Sequence, residues 1–279
     1  MWFGNKNEVM PKAEACETVP DAANAKNLVH SLAKGFRVLE AFTAAEPELL
    51  QSEVGRRAGL DNATAFRMLN TLVALGYVAK VPGTRRFCLT LKPLELGFNA
   101  IAHTSLRDLA RPVLRSLVGE VNEAASLGVL DGADIVYIER AQAGLIRMGV
   151  DIRIGSRIPA TASAIGQALL AFLPEAELDA VLASSCFERL APDVPGSPGE
   201  LQARLVRVRR EGTALSDWAS INGLRVLAAP VLDRNGLAMA ALSVAAPAMR
   251  MSAEGFAAAV RAPLLARARD LGLALAAAA

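Results

Sequence analysis

The stretch DNATAFRMLNTLVALGYVAKVPGTRRFCLT, residues 61–90, begins with the periodicity of a helix and ends with that of a hairpin. One face of the helix is apolar at a spacing of 3.6 residues: Ala65, Met68, Leu69, Leu72 and Leu75. The opposite face is centred on Ala63, Arg67, Asn70 and Ala74, with Phe66 and Thr71 at its edges. A solvated helix face is mostly charged, so this mixture of small, amide, basic and aromatic side chains indicates a surface that contacts another molecule.

The residues on either side of this helix predict a winged helix-turn-helix. Upstream, the spacing predicts a first helix over about 31–44, and then a second that is capped by Ser52 and ends at Gly59. Asp61 is expected to cap the third helix, and a short glycine-containing turn between two helices is typical of the helix-turn-helix motif. After Gly76 the period changes to 2, and the turn PGT separates two short strands that form a basic hairpin.

The charge distribution supports a nucleic-acid-binding segment at this end of the chain. Residues 31–92 contain nine basic and five acidic side chains, a net charge of +4, whereas the whole chain of 279 residues has a net charge of +2. A basic segment joined to a slightly acidic remainder is typical of a DNA-binding module attached to another domain.

Several separated motifs together resemble the IclR family of bacterial transcription regulators. They are SLAKGFRVLEAF, SEVGRRAGLDNATAFRMLNTLVALGYV, RRFCLTLKPLELG, DGADIVYIERA, IGSRIPATASAIGQALLAFLP, GLRVLAAPVLDRNG and AALSVAAP, in the family's order over about 28–275. The chain is most similar to the branch that senses protocatechuate and 4-hydroxybenzoate. It departs from the family at Gly55, where Ala is preferred, at Gln167, where Lys is usual, and at Trp218 and Ala219, where an acidic pair is common.

The expected architecture is α+β. We predict a disordered segment over 1–27, a winged helix-turn-helix domain over 28–90, a linker helix over 91–104 and an effector-binding domain over 105–275. Strand-like runs grouped with terminal helices indicate a curved antiparallel sheet in the last of these. The resemblance implies a GAF/PAS-like fold for that domain.

The DNA-binding candidates come from the second and third helices and from the hairpin. Arg67 and Asn70 are expected to contact base edges, because Arg suits guanine and Asn suits adenine. Ala63 permits close approach, and Phe66 suits a thymine methyl group. The remaining candidates are expected to position the DNA, mainly through its phosphates: Ser52, Arg56, Asn62, Thr64, Lys80, Thr84, Arg85 and Arg86.

The effector-binding candidates come from four stretches that are expected to surround an apolar pocket with a few polar groups. They are Leu127, Val129, Tyr137, Met148, Thr161, Ser163, Ala164, Ile165, Asp217, Trp218, Ser220, Val226 and Ser243. The resemblance implies that the helix start near Ser163, together with Ser243, meets the carboxylate of the effector. Arg147 and Arg157 are alternative carboxylate ligands.

The effector is expected to be an aromatic carboxylate, with a short aliphatic acid such as glyoxylate or pyruvate as the alternative.

We expect no cofactor, no metal and no catalysis, because only two histidines are present and no metal, nucleophile-elbow or phosphate-loop motif occurs. A metabolite-binding enzyme with an appended winged helix and a DNA-architecture protein are the competing classes.

The expected partners are a double-stranded operator, the small carboxylate and a second copy in a homodimer, with a dimer of dimers as a further option. Three distant cysteines and the lack of an apolar run of about 20 residues predict a cytoplasmic protein.

Overall fold

The chain divides into two units in the computed structural model, which describes residues 27–102, 105–142, 152–187, 193–218 and 223–278. Contacts place the described residues before His103 in a smaller unit and those after Thr104 in a larger one. The segment predicted to be disordered, 1–27, lies outside the described residues except for residue 27.

The smaller unit contains four helices and a three-stranded antiparallel sheet. Its elements are α1 His30–Glu40, β1 Glu48–Leu50, α2 Gln51–Arg57, α3 Asn62–Ala74, β2 Val78–Lys80, β3 Arg86–Leu89 and α4 Lys92–Ala102. The strand order is β1-β3-β2, so the hairpin of β2 and β3 is extended by the strand that precedes α2. This is the predicted winged helix-turn-helix arrangement.

Close packing between α2 and α3 explains two of the glycines. Gly59 ends α2 with φ +62°, a left-handed conformation that favours glycine. A Cβ on Gly55 would lie 3.1 Å from the carbonyl oxygen of Leu60 and 3.3 Å from the Cβ of Ala65. Gly55 therefore lets the two helices of the motif approach closely at their junction.

Three features of the smaller unit differ from expectation: the end of α1, the cap of α2 and the exposure of three apolar side chains. The first helix ends at Glu40, before a turn that pairs Thr43 with Glu46. Ser52 is not the N-cap of α2, because β1 leads directly into the helix and the Glu53 carboxylate accepts a hydrogen bond from the N–H of Leu50 at 2.7 Å. Three side chains expected to be buried are instead half or more exposed: Leu32, Phe36 and Leu75.

The larger unit is built on a six-stranded antiparallel sheet. Its elements are α5 Ser105–Val121, β4 Ala124–Asp131, β5 Asp134–Ala141, β6 Arg157–Pro159, α6 Ala164–Leu170, α7 Glu175–Ala183, α8 Pro198–Glu211, β7 Ala214–Trp218, β8 Leu224–Leu232, β9 Ala238–Pro247 and α9 Ala253–Ala278. The strand order is β6-β5-β4-β9-β8-β7. Helices α5 and α9 contact one face of this curved half-barrel, and α6 contacts the other, which we call the cleft face.

The sequence did not predict the two short strands at the edges of this sheet. β6 and β7, at the two ends of the sheet, were not predicted as strands. Each has three to five residues, too few to display a clear alternation. The strand-like run LIRMGVDI, residues 145–152, lies outside the described residues, apart from residue 152.

Helix α6 is buried on all sides and lies close against the sheet. All seven of its residues are buried, and a Cβ on Gly166 would lie 2.1 Å from the carbonyl oxygen of Ala160. A Cβ on Gly128 of β4 would lie 2.5 Å from Ile135 and 2.8 Å from Ile165. Both positions therefore exclude a side chain: Gly166 lets α6 lie against the backbone of Ala160, just after β6, and Gly128 lets α6 lie close to β4.

We expect Gly128→Ala to destabilise the larger unit by about 1–3 kcal/mol, because the added methyl group would overpack the contact with α6. Urea denaturation followed by tryptophan fluorescence measures this change. Gly119→Ala is the matched control, since nothing lies within 4 Å of that position on α5. Equal midpoints for Gly128→Ala and the wild type would contradict the packing argument.

Candidate nucleic-acid interface and effector site

The start of α3 is fixed by a side-chain cap. Asp61 accepts hydrogen bonds from the backbone N–H of Thr64 at 2.9 Å and from its hydroxyl at 2.7 Å. These bonds, the backbone one first, hold the pKa of the Asp61 carboxyl below its ordinary value. Thr64 is buried with its hydroxyl in this cap, so it belongs to the helix start and not to the exposed DNA-binding candidates.

The unusual face of α3 is open to solvent. Asn62, Ala63, Phe66 and Arg67 are exposed, and Asn70 is partly exposed. Within the described part of the chain, no hydrogen bond or ion pair engages the side chain of Arg67. The Phe66 ring is 49% exposed, so it is available for contact with another molecule.

The hairpin separates its basic residues into two groups. Lys80 and Arg85 are exposed, as are Ser52 and Arg56 on α2. Arg86 instead folds back and donates to the carbonyl oxygen of Glu48 at 2.9 Å, and it also lies 3.5 Å from the Glu53 carboxylate. Arg86 therefore joins the hairpin to β1 and α2, which limits its freedom to reach a phosphate.

The hairpin tip is held by Thr84. Its hydroxyl donates to the carbonyl oxygen of Val81 at 3.0 Å and accepts from the N–H of Arg86 at 3.1 Å. Gly83 has φ +73°, as the tight turn requires. Arg85 is thus presented on an ordered turn.

The cleft face and α6 bring together most of the predicted effector contacts. Tyr137, Trp218 and Val226 from the sheet share one apolar cluster with Ala164 and Ile165 from α6. Thr161 and Ser163, in the loop before α6, are also buried. The described part of the site is therefore mostly apolar, as a binding site for a small organic molecule requires.

Three predicted effector residues face away from the cleft. Gly128 faces α6, so the alternation of β4 places Leu127 and Val129 on the other side of the sheet. On β7, Asp217 lies between two cleft-facing residues, and its carboxylate accepts from Arg225 Nε at 2.9 Å. The predictions for Leu127, Val129 and Asp217 are wrong on this point, because each belongs to the opposite set of alternating side chains.

The loop before α6 uses the Ser163 hydroxyl within the protein. This hydroxyl donates to the carbonyl oxygen of Pro159 at 3.0 Å and accepts from the N–H of Gly166 at 3.2 Å. Gln167, where the resembling family usually has Lys, donates to the carbonyl oxygen of Thr161 at 3.0 Å. Ser163 is therefore a helix cap that fixes the loop, and Gln167 closes the same loop.

A polar row crosses the cleft face, and sequence reasoning found only one of its three members. Cross-strand pairing places Ser243 beside Ser126, and Ser126 beside Arg140. Arg140 donates to the Ser126 hydroxyl at 2.9 Å, and both serines are buried. Burial raises the pKa of Tyr137 to about 12, and the positive charge of Arg140 acts in the opposite direction.

A bulge in β5 explains why Arg140 was missed. Leu127 pairs with Glu139, whereas Gly128 pairs with Tyr137, so Ile138 is an extra residue on β5. Glu139 consequently faces α5, where its Oε2 accepts from Arg107 at 2.9 Å and from Arg111 at 3.1 Å. Strict alternation along β5 would have placed Arg140 on that outer face. The one local feature that argues against this placement is the neighbouring acidic residue, Glu139, which is buried.

The alternative carboxylate ligands are not part of the described cleft. Arg157 pairs with Asp131 at 2.6 Å and with Asp134 at 3.1 Å, and the hydrogen bond that it donates to Asp131 raises the pKa of Arg157. Met148, Ser220 and Arg147 lie outside the described residues. Among the residues that are described, no group of three His, Cys, Asp or Glu side chains suits a metal ion, and no helix is long and apolar enough to cross a membrane.

Comparison with known proteins gives the same two-part division. The model of the IclR helix-turn-helix domain matches residues 31–82, and that of the bacterial transcriptional regulator IclR C-terminal domain matches 98–273. The regulator KdgR of Dickeya chrysanthemi is 32% identical over 250 residues, which cover 90% of this chain and 81% of KdgR. The Pca regulon regulatory protein of Pseudomonas putida is 31% identical over 241 residues, 86% of this chain and 82% of that protein.

Two solved structures are similar over most of the chain. One from Rhodococcus sp. RHA1 has 39% identity and a TM-score of 0.77, and the match covers 90% of this chain and 100% of that one. An IclR homolog from Microbacterium hydrocarbonoxydans, complexed with 4-hydroxybenzoate, has 25% identity and a TM-score of 0.72, with 89% and 100% covered. These matches span both units, so the winged helix and the cleft-bearing domain occur together in similar proteins.

The cap of α3 gives a pH-dependent expectation. Because the pKa of Asp61 is below its ordinary value of 3.8, its contribution to stability is complete above that pH and is lost as the pH falls through the depressed pKa. Asp61→Ala should therefore lower the thermal unfolding midpoint at neutral pH, with a smaller deficit in acid, as measured by circular dichroism. Asp61→Asn keeps a cap acceptor and is the control; a deficit of Asp61→Ala that does not change with pH would exclude this role.

Proposed function

Because this chain belongs to the IclR family of bacterial transcriptional regulators, we propose that it binds a pseudo-palindromic operator and senses a small aromatic carboxylate. DNA binding by the winged helix and ligand binding by the C-terminal domain follow from family membership. The operator contacts, the effector class and the oligomeric state are the proposal. Its domain limits are a winged helix over 28–90, a linker helix over 91–104 and an effector domain over 105–275.

Helix α3 reads the bases in the major groove. Arg67 and Asn70 lie one helical turn apart on its open face, and Arg67 has no intramolecular partner among the described residues. A bidentate Arg–guanine or Asn–adenine contact discriminates by about 1–3 kcal/mol. Ala63 and Phe66 on the same face favour close approach and contact with a thymine methyl group.

The phosphates are held by side chains on either side of α3. Lys80 and Arg85 are exposed on the hairpin, Ser52 and Arg56 are exposed on α2, and Asn62 is exposed at the start of α3. Thr64 and Arg86 contribute indirectly, through the cap of α3 and the position of the hairpin, and Thr84 orders its tip. This division favours Lys80 and Arg85 over Arg86 as the hairpin residues that contribute to non-specific affinity.

Self-association is supported by apolar surface on the smaller unit. Leu94, Leu96 and Phe98 on α4 are each more than half exposed, as are Leu32 and Phe36 on α1. Exposed apolar side chains in this number usually mark an interface. A homodimer, in which two copies of α3 reach successive major grooves, fits this surface and the expected operator symmetry.

The polar row on the cleft face is the observation that carries the effector proposal. Ser243, Ser126 and Arg140 supply two hydroxyls and a positive charge at one end of an otherwise apolar site. A carboxylate is the small-molecule group that matches a guanidinium with adjacent hydroxyl donors. Thr161, Ser163 and Ala164 are buried at the start of α6, the helix that packs on the same face of the sheet.

The apolar and aromatic side chains of the cleft face favour an aromatic ring over a two- or three-carbon acid. Tyr137, Trp218, Val226 and Ile165 provide apolar and aromatic surface beyond the polar row. The Microbacterium homolog binds 4-hydroxybenzoate, which supports this class for a similar fold. A short aliphatic acid is the second candidate, favoured by the Arg140 and serine cluster alone. The relatives are named as regulators, which disfavours turnover of the bound acid.

We expect Arg67→Ala and Arg85→Ala to weaken DNA binding in different ways. Arg67→Ala should cost about 1–3 kcal/mol on the operator and relax base preference at one position, with little change on random DNA. Arg85→Ala should weaken binding to all sequences and lower the salt slope by about 1. Fluorescence anisotropy at several salt concentrations measures both, and Arg115→Ala, an exposed position on α5, is the control. Equal losses on operator and random DNA for Arg67→Ala would contradict base reading.

Binding of benzoates by the full-length protein tests the effector class. We expect benzoates to raise the thermal unfolding midpoint and to change the footprint on the operator, and Arg140→Gln to abolish the shift. Arg153→Gln, on an exposed loop outside the polar row, is the control variant. A shift with glyoxylate or pyruvate and none with benzoates would replace the aromatic effector by the short acid, and turnover of a bound acid would indicate an enzyme.

A further inference from the structure

A pocket of about 480 Å³ lies at the end of the sheet, where β8 leads into the turn to β9, and we call it the α9 pocket. Such a volume is typical of small-molecule sites. Its walls come from Phe172, from Gly212 after α8, from Leu232 of β8 and from one face of α9. None of its lining residues belongs to the predicted effector contacts or to the polar row of the cleft face. The α9 pocket is therefore a second candidate site within the larger unit.

Two neighbouring rows of side chains on α9 line this pocket. Each row has four-residue spacing: Leu265, Arg269 and Leu273 in one, and Ala268, Gly272 and Ala276 in the other. A Cβ on Gly272 would lie 2.5 Å from the carbonyl oxygen of Leu232, so the row of small residues lies against the end of β8. Leu265 and Leu273 are 36% and 64% exposed. They form an open apolar wall that runs for about 12 Å along the helix.

Two arginines give the α9 pocket its positive charge. Arg269 is exposed and lies between the two leucines in their row, and the described residues offer its guanidinium no hydrogen bond or ion pair. Arg234 donates to the carbonyl oxygen of Ala276. Because a guanidinium carries five N–H donors, Arg234 retains donors for another acceptor.

The acid that lines the pocket is already engaged in its own turn. The Asp233 carboxylate accepts from the N–H of Leu237 at 2.9 Å and from that of Asn235 at 2.8 Å. These bonds, that from Leu237 first, hold the pKa of the Asp233 carboxyl below its ordinary value. Two guanidinium groups and one such carboxylate leave an excess of positive charge, which favours an anionic ligand.

We propose that the α9 pocket binds a medium-chain fatty acid, with its acyl chain against the apolar wall and its carboxylate on Arg269. An extended apolar wall beside a guanidinium matches a ligand that is apolar over its length and charged at one end. Ala276 lies in the last turn of α9, where the partial negative charge of the helix end disfavours an anion. Arg269, about two turns earlier, is therefore the main carboxylate ligand and Arg234 the secondary one. This site is separate from the cleft and does not depend on which acid the cleft binds.

A second copy of the chain is the other molecule that would cover this apolar wall. A symmetric contact centred on the pocket would bring Arg269 of one copy toward Arg269 of the other, because both copies use the same patch. Like charges that face each other across an interface oppose association. The charge of the pocket therefore favours an anionic small molecule over a second copy.

Octanoate and 1-octanol separate the carboxylate contact from burial of the chain, since both have eight carbons and only octanoate is charged. Isothermal titration with the full-length protein gives both affinities for the wild type, Arg269→Gln and Leu273→Ala. We expect octanoate to bind the wild type about 10-fold more tightly than 1-octanol, and Arg269→Gln to remove this preference, because a charge-assisted hydrogen bond is lost. Leu273→Ala should weaken both ligands by about 3- to 5-fold, because it removes part of the apolar wall.

Arg207→Gln is the matched control, because Arg207 is an exposed arginine of α8 that does not line the pocket. This variant should leave both affinities unchanged. The ratio of the two affinities within each variant is insensitive to a general loss of stability.

Three outcomes would overturn the proposal. If the wild type does not bind octanoate, the pocket is not a fatty-acid site. If Arg269→Gln binds octanoate as the wild type does, the acid binds elsewhere in the protein. If octanoate does not bind and Leu273→Ala shifts the protein to smaller species in sedimentation velocity, the wall is a contact between copies. Loss of the octanoate preference in Arg269→Gln but not in Arg207→Gln supports the proposal.

Discussion

One extra residue in β5 determines what the cleft of the larger unit can bind. The bulge at Ile138 sends Glu139 toward α5 and Arg140 toward α6, although the two are neighbours in sequence. Each charge then has a partner on its own side: Glu139 is buried between Arg107 and Arg111, and Arg140 bonds to Ser126. Without the bulge the acid would enter the cleft, where it would repel a carboxylate.

The distance between α6 and the sheet depends on the residues next to the bulge in β5. Gly128, which pairs with Tyr137 beside the bulge, has no room for a side chain because Ile165 lies against it. The backbone of β4 therefore approaches α6 closely at one point, while the serines and Arg140 leave a polar area next to it. The cleft face combines a tightly packed apolar wall with a localised charge, which suits the small carboxylate that we propose as the effector.

In the smaller unit, the cap of α3 separates structural from functional side chains. Asp61 and Thr64 satisfy each other at the helix start, and Leu69 and Leu72 pack inside. Arg67 and Asn70 are left on the open face. The hairpin shows the same division: Arg86 donates a hydrogen bond to the Glu48 carbonyl oxygen of β1, whereas Arg85 is exposed.

The sequence by itself determined the helix-turn-helix, the hairpin, the existence of the long strands and the open face of α3, since local periodicity and caps specify these features. It also placed Tyr137, Trp218, Ser163 and Ser243 near the cleft, although the cap role of Ser163 was not visible. Only the tertiary structure decided that Leu127, Val129 and Asp217 face away and that Ser126 and Arg140 face inward. The reason is physical: a strand has two faces, and which one meets the cleft depends on the pairing register and on a single bulge, neither of which is written in the local pattern.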